Sequence, residues 1–209
     1  MDATVPVYGL YGETGAPAEH EWVHWETVPA RSRLYGYEIK PHRHAALFQI
    51  LHITNGSAEA WIDGAVVRVE APVAMTVPAL VAHGYRFSAD IDGAVVTVFE
   101  GRLARLTQSM EAAGRRFSRG VRVVPLGSGE EGEGFAAALA TVAREYRGHG
   151  GARMAIIEAS LALALAWLDR AGVRAIGAED AGGPGVPRRA AEFRDLVERH
   201  FRVERSVAF

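Results

Sequence analysis

Apolar residues alternate with polar ones through the first half of the chain and recur every three or four positions through the second. Residues 33–39, 47–54, 58–62, 66–69, 74–77, 84–87 and 94–99 are short runs rich in Val, Ile, Tyr and Phe, and each predicts a β-strand. Residues 21–26 alternate less regularly. Asn55-Gly56, Asp63-Gly64 and Asp92-Gly93 are turn signals between the runs. Short strands broken by such turns predict an antiparallel sandwich or barrel. Beyond about residue 100 the spacing predicts amphipathic helices over 102–113 and 134–147, and a longer one over 152–170. That last helix carries Met154, Ile156, Ile157, Leu161, Leu163, Leu165, Trp167 and Leu168, so apolar residues cover most of its surface. Such a helix needs cover on more than one side. The barrel supplies one side and a second copy of the chain the other, so the expectation is a homodimer through the 152–170 helix.

The ends differ in composition from the middle. Residues 1–20 are rich in Gly, Pro and Thr and read as an irregular arm; 21–172 form the main domain. Small residues dominate 173–187, which reads as a linker. Residues 188–209 begin with a helical pattern whose stripe is Phe193, Leu196, Val197 and Phe201. One such helix cannot bury its own stripe, so it is expected to open a further domain that is cut short. The 209 residues carry a net charge of −2, which gives the whole chain no electrostatic pull towards nucleic acid. Without cysteine there is neither a disulfide nor a thiolate metal site. Met1-Asp2-Ala3-Thr4 does not open a signal peptide, and the apolar stretch 155–168 is too short to span a bilayer. The expectation is a soluble, cytoplasmic protein with no membrane partner. Phosphate-loop, nucleophile-elbow and cysteine-nucleophile motifs are missing. The Gly- and Glu-rich residues 127–134 read as a solvated loop.

Histidine carries the candidate chemistry. His42 and His44 lie two apart in Pro41-His42-Arg43-His44, so in extended chain both side chains point the same way. His83 follows the later run 74–77. Together the three could form a set suited to Fe, Ni or Zn. Such a set usually includes a carboxylate, and Gln49 is a neutral, weak substitute. The histidines could equally contact an organic ligand or pack as structural imidazoles. For an anionic ligand the basic candidates are Arg33, Arg43 and Arg86. Strand parity puts His83 and Tyr85 on one face and Arg86 on the other. Tyr37, Phe48, Trp61 and Tyr85 could stack on a planar ligand. Trp22 and Trp25 either close a barrel mouth or pack outside it.

His42-x-His44 with Gly56 at the following turn, and Pro78 with His83, resemble the two motifs of a cupin barrel. Phe48 or Gln49 stands where that pattern has Glu, and Leu80 stands for its Gly. The resemblance implies a mainly β plus α fold: a cupin-type antiparallel β-barrel, or jelly roll, followed by helices that include a long dimerisation helix. A wider resemblance covers nearly the whole chain. The order of arm, barrel, helices, linker and Phe193-Arg194-Asp195-Leu196-Val197-Glu198-Arg199-His200-Phe201 is similar to AraC-type transcriptional regulators. Val5-Pro6-Val7-Tyr8-Gly9-Leu10-Tyr11-Gly12-Glu13 and the stretch around His42 and Gln49 are similar to the PobR-like subgroup, which responds to 4-hydroxybenzoate. The resemblance implies a non-enzymatic sensor of a small aromatic acid from aromatic-compound catabolism, with no cofactor. Its ligand contacts would come from Arg33, Tyr37, His42, His44, Gln49, Trp61, His83 and Tyr85. It would bind promoter DNA only in a full-length form, because the recognition helices of a helix-turn-helix domain do not follow Phe201. The alternative is a metal-dependent cupin enzyme, a dioxygenase or isomerase, holding Fe, Ni or Zn on His42, His44 and His83.

Overall fold

A computed structural model describes residues 5–8 and 22–179. Its strands are β1 (Val7–Tyr8), β2 (Val23–Thr27), β3 (Glu38–His44), β4 (Leu47–Asn55), β5 (Ser57–Ile62), β6 (Ala65–Glu70), β7 (Val73–Val77), β8 (His83–Phe87), β9 (Asp92–Phe99) and β10 (Arg122–Pro125). Its helices are α1 (Val28–Arg33), α2 (Glu100–Leu106), α3 (Glu111–Arg119), α4 (Glu130–Arg147) and α5 (Arg153–Glu179). The strands make two five-stranded sheets, ordered β1-β3-β8-β5-β6 and β10-β7-β4-β9-β2. Every pairing is antiparallel except that of β1 with β3. This is the expected cupin-type jelly roll followed by helices.

Two cores share the second sheet. Between the sheets, β4 supplies Leu51 and Ile53, β5 Ala58, Ala60 and Ile62, β7 Val73, Met75 and Val77, and β8 Tyr85 and Phe87. On the outer face of the second sheet, Val23, Phe48, Ile50, Ala74, Val96, Val98 and Val124 meet the helices through Leu103, Phe117, Phe135, Leu139, Ile157, Leu161 and Leu165. Strands whose two faces are both covered read as continuous apolar runs, which is why all five residues of β7 are buried.

Several boundaries differ from the expectation. Residues 33–37 are not strand. Thr27 caps α1 by accepting a hydrogen bond from Ala30 N, Pro29 fits its first turn, and Gly36 and Tyr37 then turn the chain at φ +62° and +64°. The helix expected over 102–113 is two helices. Thr107 Oγ1 donates back to Leu103 O, and a Cβ on Gly114 would lie 2.4 Å from that hydroxyl, so only glycine lets α3 pack so closely on the break. The expected loop 127–134 contains the first turn of α4, and β10 falls in a stretch assigned no element. Within the expected arm, Val7–Tyr8 pairs with β3. Helix α5 runs on to Glu179, into the expected linker. The helix expected within 188–209 lies outside the described residues.

Candidate functional site

β3 and β8 pair so that His42 and His83 are Cα partners, and the register shifts between Ile39 and His42. A Cβ on Gly84 would come within 2.8 Å of Ile39 O and Pro41 N, so glycine is needed for this close approach. Alternation then sends His42 and His44 to one face, and both are buried. The ring centroids lie 4.9 Å apart for His42 and His44, 4.4 Å for His42 and His83, and 5.4 Å for His44 and His83. One nitrogen from each ring lies within 4.8 Å of the others. Among the described residues, no carboxylate joins this group.

Backbone carbonyls set two of the ring tautomers. His42 Nδ1 lies 2.9 Å from Lys40 O and His83 Nδ1 lies 3.0 Å from Val81 O. A carbonyl oxygen only accepts, so each Nδ1 carries the proton and each Nε2 keeps its lone pair. Gln49, from β4, places Oε1 3.0 Å from His83 Nε2 and donates through its own Nε2 to Thr97 Oγ1 at 3.2 Å. Burial disfavours the charged form of His42 and of His83. It lowers His83 to about 3, helped by the neighbouring His42, and it lowers His42, to which the Arg31 cation adds.

The other expected contacts divide. Tyr85 faces the same interior as His83, its ring 5.8 Å away, its hydroxyl turned to Met75 Sδ and its ionisation pushed up by burial. Trp61 does not join the site. It alternates with the buried Ala60 and Ile62 and stands on the outer face of its sheet, under the Arg86 guanidinium. Arg33 ends α1 in solvent rather than beginning a strand. Tyr37 packs against the interior, but at the opposite end of β3 from the histidines, about 16 Å along the strand from His42. Phe48 and Trp22 belong to the helix-side core. One residue was not foreseen in the sequence reading: Arg31, whose guanidinium lies 5.6 Å from the centre of the Tyr35 ring and whose charge adds to the lowering of His42. Its helix was not foreseen, so nothing placed it beside the barrel.

The model of the AraC-like ligand binding domain matches residues 24–175. The chain belongs to this family. The AraC-like domain matches none of the curated proteins. Among solved structures it is similar to the AraC-like transcriptional activator CuxR, at 12% identity over 70% of this chain and 55% of that one, with a TM-score of 0.43. It is similar to ToxT from Vibrio cholerae strain SCE256 with unsaturated fatty acid bound, at 8% identity over 76% and 57%, with a TM-score of 0.45. It is similar also to KdgF from Halomonas sp., at 26% identity over 30% and 56%, with a TM-score of 0.26. The AraC-like chain thus spans little more than half the length of these three.

As a metal site the group fits in part. With a metal–nitrogen distance of about 2.1 Å, imidazole centroids sharing one ion lie about 4.6–5.4 Å apart, close to the spacings seen here. Donors around one ion are about 3.0–3.4 Å apart, as His83 Nε2 and Gln49 Oε1 are. The three histidine nitrogens spread wider than that, and at least one ring would have to turn inward.

Proposed function

We propose that this AraC-like domain is the effector-sensing part of a transcriptional regulator and binds a small aromatic acid of the 4-hydroxybenzoate class in its barrel. The observation that carries the reading is the buried cluster of His42, His44 and His83 against Gln49 and Tyr85, inside a barrel otherwise lined by apolar side chains. An apolar cavity with a few convergent polar groups is how small ligands are held and oriented. Among the described residues, no carboxylate stands in the cluster to serve as a catalytic base or an anionic metal ligand, which favours sensing over catalysis. Helix α5 supports dimerisation: Ile156 and Leu163 are exposed, with Ala159 between them on the same face. A ligand would act by binding two arrangements of barrel and helices with unequal affinity, and in a full-length form the difference would reach promoter DNA. Isothermal titration with 4-hydroxybenzoate tests the reading. Saturable binding, lost in His42→Ala and His83→Ala, is expected; no heat and no thermal shift would refute it.

A second reading, a metal-dependent cupin enzyme, draws on the ring spacing and on the contact between Gln49 Oε1 and His83 Nε2. Both atoms are acceptors, and they would face each other comfortably across a cation. His42, His44, His83 and Gln49 would hold a divalent Fe, Ni or Zn ion, which would supply Lewis acidity. Elemental analysis of protein purified without chelators decides between the two: a stoichiometric ion supports the second reading, and substoichiometric metal removes it.

A further inference from the structure

Strand β10 joins the barrel to α5. Among the described strands it pairs only with β7, at the edge of its sheet. Alternation divides its side chains: Val121 and Val123 pack on the core between the sheets, Val124 belongs to the helix-side core, and Arg122 reaches Asp169 of α5. Val123 is the Cα partner of Met75, whose sulfur takes the Tyr85 hydroxyl at 3.9 Å, and the Tyr85 ring lies 5.8 Å from that of His83. On the other face the Arg122 guanidinium lies 5.3 Å from the centre of the Phe117 ring, and a Cβ on Gly172 of α5 would come within 2.3 Å of its Nη2.

Asp169 is shared between two arginines. Arg116 holds both of its oxygens, at 2.8 and 2.5 Å, while Arg122 Nη1 stands 3.5 Å from Oδ1. The side-chain exposures run the other way, 39% for Arg116 and 13% for Arg122. A desolvated guanidinium gains more from a close carboxylate than one in water does. The closer pair is therefore made with the arginine that needs it less. Only about 0.6 Å separates the Arg122 contact from a charge-assisted bond of about 2.9 Å.

We propose that Asp169 is a two-position latch between Arg116 and Arg122, and that a ligand in the barrel, by displacing β10 towards α5, favours the Arg122 position. This deepens the effector-sensing reading and rests on it, naming the contact through which the barrel reaches α5. A ligand acts in this way only by binding the two positions unequally, and a coupling of this kind is carried by an element with two discrete arrangements. The two arginines then work with opposite sign. Without Arg116 the carboxylate is left to Arg122, and the binding-competent position is populated before any ligand arrives; without Arg122 that position is lost.

Titration calorimetry with 4-hydroxybenzoate on the chelator-treated chain compares the parent with Arg116→Met and Arg122→Met. Arg116→Met is expected to bind at least about threefold more tightly than the parent, and Arg122→Met at least about threefold more weakly. An ion cluster that only holds the fold together would move both affinities the same way or neither. Arg116 is the more exposed of the two, so Arg116→Met keeps the fold, and its tightening decides alone where Arg122→Met does not fold. Arg116→Met binding no more tightly than the parent, or a folded Arg122→Met binding no more weakly, would overturn the latch while leaving the effector reading intact. A parent chain that takes up no 4-hydroxybenzoate would overturn both.

Discussion

Acidification in the range where only histidine titrates should destabilise this protein, with His83 as the main cause. His83 is 1% exposed, and its pKa falls from the usual 6.5 to about 3 in the folded chain. Its folded-state pKa therefore lies below its unfolded one. The stability tied to the neutral ring is complete well above pH 6.5 and is lost as pH falls from 6.5 towards 3. At pH 5.5 the unfolded ring is about nine-tenths protonated and the folded ring is not, which at about 1.36 kcal/mol per pKa unit amounts to about 1.4 kcal/mol relative to pH 7.5. His42 and His52 are lowered as well, so both add in the same direction. The assay is urea unfolding at pH 7.5 and 5.5, in chelator so that no ion holds the rings. His83→Gln has no proton to take up, and its loss between the two pH values should be smaller than that of the parent by about 1.4 kcal/mol. Equal losses in the two proteins would refute the reasoning.

Three further outcomes are expected. If the chain dimerises through α5 as proposed, Leu163→Glu, at a position 51% exposed on that helix, should give a monomer in sedimentation velocity while lowering the unfolding temperature little. Leu80→Gly should stabilise. Leu80 is 60% exposed with φ +67°, and relief of left-handed strain outweighs the extra flexibility of glycine by about 0.5 kcal/mol in urea unfolding. Asp169→Asn should cost about 3 kcal/mol, because it leaves the largely buried Arg122 without the carboxylate that offsets its burial. Arg116→Met, which removes a more exposed partner of Asp169, should cost less than about 1 kcal/mol.

The barrel was legible where local pattern and global packing agree. Alternation in β5 and the Asn-Gly and Asp-Gly turns placed the strands, and parity alone put His83 and Tyr85 on one face and Arg86 on the other. The site became unreadable wherever chain geometry overrode composition. Aromatic residues in strands look alike in sequence, yet Trp61 faces outward, Phe48 faces the helices and Tyr37 lies at the far end of β3. Each side is set by register, which the residue type does not carry. Arg31 was invisible for another reason. Thr27-Val28-Pro29 is a helix-start signal, but it sits between strand-like runs in a segment too short for periodicity to register. The turn at Leu80 keeps the left-handed backbone that the motif assigns to glycine, so the motif departed in residue type and not in shape.

Strand β4 is one wall with a room on each side. Phe48, Ile50 and His52 alternate with Gln49, Leu51 and Ile53, the first three facing the helices and the last three the barrel. Sliding this strand by one residue would drop Gln49 among the helices and push Phe48 into the barrel. It cannot ratchet, and its neighbours β7 and β9 hold it over nearly its whole length. Under the effector-binding proposal, a ligand pressing on Gln49 would act on a strand whose far side carries His52, against which Phe135 of α4 rests edge-on.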